Sequence, residues 1–285
     1  MQLKGLQVLE AFKSDIESFF HPDPGFVMNT AVKGTRIRYT GNAEKGGVIV
    51  SEDLANYEIN DLESMMFVLL VLGHETAHLL NVHGGYRDQS TEDTRALEVW
   101  ADFFGTKVAI VVMTIGDEVR EMVTSLDGGT ETGDRLDAIG AGIGRLATTY
   151  FETDDERYER APVRVATCVA GVMSALDTYW QLGGIDKDVE RSIHLQRRLY
   201  HAIRAQCGQL EAAAPERSQI SAIHRIHQAI QGDRASITAG MRGVPAKWLQ
   251  TNYEGSEEER EARAAQELER LKIELSNLGL DMPEE

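Results

Sequence analysis

The chain has 285 residues, enough to bury a proper core, and its 42% hydrophobic and 26% charged residues are the proportions of a soluble globular protein. Acids outnumber bases 46 to 29, giving a net charge of −17. That charge repels phosphate backbones and anionic lipid, which argues against nucleic acid and membrane as partners.

Residues 1–20 alternate charged and apolar positions without an uninterrupted apolar stretch, so they read as an amphipathic helix rather than a signal peptide. "HPDPG" ends that helix at residue 25. Between residues 26 and 50 the runs "GFVMNTAV", "TRIRYT" and "GGVIV" have strand character, predicting two or three strands of a small sheet. "NDLE" at residues 60–63 reads as a capping box for a helix that runs to the Gly84–Gly85 stop. "STED" at residues 90–93 starts a second helix, continuing to about Ile115. The apolar runs "MMFVLLVLG" and "VAIVVMTIG" inside these helices are too short to cross a bilayer.

Residues 116–133 read as an acidic, glycine-rich connection, and helices are predicted near 134–152, 160–182, 187–208 and 217–231. "GAGIG" at residues 140–144 lies inside a helical pattern with no preceding strand, so it signals close helix packing rather than a nucleotide loop. Beyond residue 255 the chain is strongly acidic, with Leu268, Leu271, Leu275 and Leu278 on one helical stripe. This tail packs on the domain or offers a surface for a partner or a second copy. Cys168 and Cys207 are far apart and lack a partner motif, pointing to reduced, buried thiols in the cytoplasm. The organisation is therefore a helix and small sheet (1–60), two helices that carry the chemistry (61–115), a helical C-terminal part (116–255) and the acidic tail (256–285). The fold class is α+β, mainly α.

The chemistry concentrates in "LGHETAHLLNVHGG", residues 72–85. His74 and His78 are four apart on a helix, which puts both imidazoles on one face where they can bind a single Zn²⁺. Glu75 sits about 100° round the helix, placed to act on a water as general base without being a ligand. A catalytic zinc needs a third protein ligand and an open position. On a continuous helix His83 is about half a turn out of phase with His74, and so reads as structural or as a rim residue. Glu98, 20 residues after His78 on the next helix, is the better third ligand, brought back by a short helical hairpin. Asp102, one turn further along, can accept the spare ring N–H of a ligating histidine and fix its tautomer. Trp100, Phe103 and Phe104 read as packing residues.

"HETAH" followed by "EVWAD" resembles the gluzincin metallopeptidases, whose pattern is H-E-x-x-H then E-x-x-A-D. The "STEDTRALEVWAD" stretch and H-E-x-x-H-x-x-x-x-H are similar to the Lit-type phage-exclusion peptidases. The resemblance covers about residues 65–110. It implies a zincin-like core, His74, His78 and Glu98 as zinc ligands, Glu75 as base and Asp102 behind the ligands. It further implies a protein or peptide substrate and a role in host defence or regulation. "RAPVRVATCVAGVMSALD" is similar to a later helix of those proteins, and "SQISAIHRI" corresponds to a segment from which Arg225 would stabilise the oxyanion, though the family's His-Pro is missing. Other candidates for that role are His224, His227, Tyr86, His194 and His201. Two alternatives accompany this reading. One is a repressor-cleaving metalloprotease of mobile elements, and the other is a non-catalytic protein with structural zinc.

Overall fold

The computed structural model describes residues 2–253 apart from 23–24, 36, 41–45, 87–89, 187, 212 and 233–235, with scattered positions between 259 and 276. The tail leucines Leu268, Leu271, Leu275 and Leu278 lie outside the described residues. In chain order the elements are β1 (Leu3–Lys4), α1 (Gly5–Ser18), β2 (Asn29–Val32), β3 (Arg38–Thr40), β4 (Gly47–Val50), α2 (Glu52–Ala55), β5 (Glu58–Ile59) and α3 (Leu62–Leu80). A 3-10 turn at His83–Gly85 leads to α4 (Thr91–Ile115), α5 (Glu118–Ser125) and α6 (Thr132–Leu146), which closes in a π-helical turn at Ala147–Phe151. The chain continues with α7 (Ala161–Leu182), α8 (Val189–Cys207), α9 (Arg217–Gln231) and α10 (Gly243–Leu249). The protein is mainly helical with a small sheet, in which β4 pairs parallel with β2 and antiparallel with β3, leaving β3 at an edge. A separate two-stranded ladder joins β1 to β5.

α3 is the centre of the core. Met65 to Gly73 are all buried, because the helix is apolar all the way round and has neighbours on every side. That explains why so apolar a run sits inside this fold, and no single helix among the described residues is long and apolar enough to cross a membrane. The start of α3 is capped one residue later than the sequence suggests: the Asp61 side chain accepts from Ser64 N at 2.8 Å. Its end comes earlier than expected. Asn81 turns its side-chain amide onto the Ala77 carbonyl (2.8 Å), and Val82 adopts a left-handed φ of 58°, so the helix stops before Gly84–Gly85. α4 begins as expected, with the Ser90 hydroxyl accepting from Asp93 N.

The stretch at 116–133 is not only a connection, since α5 forms within it. The signal is tertiary: the Asp15 carboxylate of α1 accepts the N–H groups of Asp117, Glu118 and Val119 at 2.9, 3.1 and 2.8 Å. α10 was also absent from the sequence reading, and buries Trp248 and Leu249. Cys168 is buried and Cys207 half-buried, both as free thiols.

α3 and α4 cross with their backbones in contact. A Cβ added to Gly105 would lie 2.5 Å from the His74 Cα, and one added to Gly73 would meet the Gly105 carbonyl. α6 and α8 use the same device, with Gly140 and Gly144 each set against a carbonyl of α8. Gly105→Ala should therefore force α3 and α4 apart, lowering stability by about 1–3 kcal/mol. Urea unfolding would show it, and an unchanged midpoint would mean that the two helices are free to separate.

Candidate metal centre

The crossing of α3 and α4 places His74 and His78 opposite Glu98 and Asp102, which lie one turn apart on the facing side of α4. Ligand atoms of His74, His78 and Glu98 all fall within 4.8 Å of one another, a group that could hold a metal ion. His74 Nε2 lies 3.2 Å, and His78 Nε2 3.6 Å, from Glu98 Oε2. Among the described residues His78 Nε2 has no hydrogen-bond partner, although the residue is 1% exposed. A buried ring nitrogen aimed at a carboxylate and a second imidazole is an apt donor set for a divalent ion of borderline softness. The His74 side chain is 19% exposed and opens the group to a cleft of about 420 Å³.

Glu75 lines the same cleft. Its Oε2 accepts the backbone N–H of Tyr39 at 2.6 Å, so the outer edge of β3 is tied to this carboxylate. The Tyr39 ring stacks on His78, with centroids 4.7 Å apart.

Asp102 packs against His74, with His74 Nδ1 donating to Asp102 Oδ1 at 2.9 Å. The sequence reading missed what holds Asp102. Arg164 of α7 reaches it with two hydrogen bonds, Nε to Oδ2 at 2.7 Å and a terminal nitrogen to Oδ1 at 2.9 Å. The Arg164 guanidinium also lies 3.9 Å from the Phe151 ring centroid. Arg164 falls in the "RAPVRVATC" segment, but no spacing rule tied it to a carboxylate 62 residues earlier.

The electrostatics follow from burial countered by these pairings. Burial depresses the His74 pKa, but the Asp102 and Glu98 carboxylates overcome it and raise it to about 10. Burial pushes Glu98 up, yet the two imidazoles hold it well below the usual carboxylate range. Burial pushes Asp102 up too, but the Arg164 guanidinium and His74 together hold it below the usual value.

Of the groups proposed to stabilise an oxyanion, none lines the cleft. Arg225 is on the exposed side of α9, where it pairs with Asp93. Arg38, Tyr150, Arg157 and Tyr158 line it instead. His83 is fully buried and hydrogen-bonded to His78, not at a rim. No described protein family matches the chain, and neither does any curated protein or solved structure.

Arg164→Met would leave Asp102 buried without its cation, and stability should fall by about 3–5 kcal/mol in denaturant unfolding. A variant as stable as the parent would show that the pair is not needed to hold Asp102. With its pKa raised to about 10, His74 favours a proton that a metal ion at this group would have to displace. Zinc binding at pH 7 should release about one proton, and the apparent affinity should rise with pH until that proton is lost near pH 10. Titration calorimetry in buffers of different ionisation heat counts the proton, and zero release would place His74 outside the ligand set.

Proposed function

We propose that the chain is a zinc-dependent endopeptidase of gluzincin type that cleaves selected proteins inside the cell, in phage defence or regulation. One observation carries the reading. Two imidazoles and a buried carboxylate converge on one point, and a further glutamate, Glu75, faces the same cleft. A structural zinc site needs four closed protein ligands and has no use for that glutamate. The motif resemblance over residues 65–110 adds the peptide substrate and the biological setting.

His74, His78 and Glu98 would hold the zinc ion, which would supply Lewis acidity for a water and a substrate carbonyl. Glu75 accepts the water's proton and passes it to the leaving nitrogen. The Tyr39 N–H restrains the Glu75 carboxylate, so the base is held in place before substrate arrives. Asp102 fixes His74 with Nδ1 protonated and Nε2 directed to the ligand group. The outer edge of β3 faces the cleft, and an extended substrate would pair along it as an added strand.

Glu75→Gln should keep the zinc content of the parent while lowering hydrolysis by about 10²–10⁴-fold. New protein N-termini in cells expressing the parent chain, compared with cells expressing this variant, would reveal the substrate. Identical N-termini and identical phenotype in the two would refute the protease reading.

A further inference from the structure

His78 is the innermost of the proposed ligands, and its second ring nitrogen has an unusual partner. His78 Nδ1 lies 2.8 Å from His83 Nδ1, and His83 Nε2 lies 2.8 Å from His227 Nε2. The three rings run in a line from α3 through the turn after it to α9, and all are at most 1% exposed. His227 packs edge-on against Trp100 (centroids 5.0 Å apart) and at a tilt against Tyr253 (4.6 Å). Its Nδ1 has no hydrogen-bond partner among the described residues.

Two ring nitrogens at this distance share one proton, and a neutral imidazole carries only one. The proton's place at one end of the chain therefore fixes the other rings. If His78 offers Nε2 to a metal, its proton is on Nδ1 and is donated to His83 Nδ1. His83 then carries its proton on Nε2 and donates it to His227 Nε2. The opposite order leaves a proton on His78 Nε2, facing Glu98, and blocks that ligand.

We propose that His83 and His227 are positioning residues that hold the His78 ring in the orientation that aims Nε2 at Glu98 and His74, with its tautomer tied to theirs. This rests on the reading of His74, His78 and Glu98 as metal ligands. The two faces of the centre are thereby served differently. His74 is oriented by a carboxylate that Arg164 also binds, and His78 by a chain of two further rings with no carboxylate in it. A role confined to filling the core would need only the volume of these rings, and apolar side chains would fill it without burying ring nitrogens.

Competition with a chromogenic chelator measures the zinc affinity of the full chain and its variants. His83→Phe should bind zinc about 10- to 100-fold more weakly with an unchanged near-ultraviolet dichroism spectrum. His83→Asn, which returns an acceptor close to the Nδ1 position, should recover most of the loss. His227→Phe should weaken binding less, with recovery in His227→Gln, and the exposed His194→Ala should match the parent. Parental affinity in folded His83→Phe would overturn the proposal, as would an equal loss in the Phe and Asn variants, which would assign the effect to volume. If His83→Phe does not fold, the His227 pair decides on the same terms. A parent chain that binds no zinc would remove the metal reading itself, and this inference with it.

Discussion

The centre depends on two helices approaching until their backbones touch. Gly73 and Gly105 remove the side chains that would otherwise separate α3 from α4, and His74 follows directly after one of these glycines. On α4, Glu98 and Asp102 precede Gly105 by two turns and one turn, so all three face α3. Each site residue is then pinned by a different element: His78 by the Tyr39 ring of β3, Asp102 by Arg164 of α7, and His83 by His227 of α9. These restraints act only because the crossing has already brought the two motifs within bonding distance.

The motifs were legible because local periodicity decides them. Four-residue spacing places His74 with His78 and Glu98 with Asp102, whatever the tertiary structure. The strands, the start of α4 and most later helices were also visible from period and punctuation. The readings that failed needed information from elsewhere in the chain. α5 exists because Asp15, about a hundred residues earlier, accepts its first N–H groups. Arg164 reaches Asp102 across 62 positions, and His227 reaches His83 across 144.

The misplacement of His83 has a sharper cause. The half-turn phase difference from His74 holds only for an unbroken helix. Asn81 caps α3 and Val82 takes the left-handed conformation, so the chain doubles back and lays His83 against His78. A β-branched residue rarely adopts that conformation, and Gly84–Gly85 is the stronger stop signal in the sequence. Arg225 fails for a related reason. It precedes His227 by two positions on α9, about 200° round the helix, so the inward turn of His227 sends Arg225 outward to Asp93.

The buried charges say what kind of ion the proposed centre would favour. With His74 raised to about 10 and both carboxylates lowered, His74 and Arg164 stand as two cationic groups against Glu98 and Asp102. A monovalent ion replacing the His74 proton would leave that balance unchanged, and would gain little from ligands that already hold a proton well. A divalent ion in the same exchange leaves one net positive charge, on the side where His74 opens to the cleft and Glu75 stands. There the charge would avoid the full cost of an isolated ion in the core. Arg164 is decisive in this balance. Without it Asp102 would set an extra negative charge behind the same ion and weaken its pull on any further ligand.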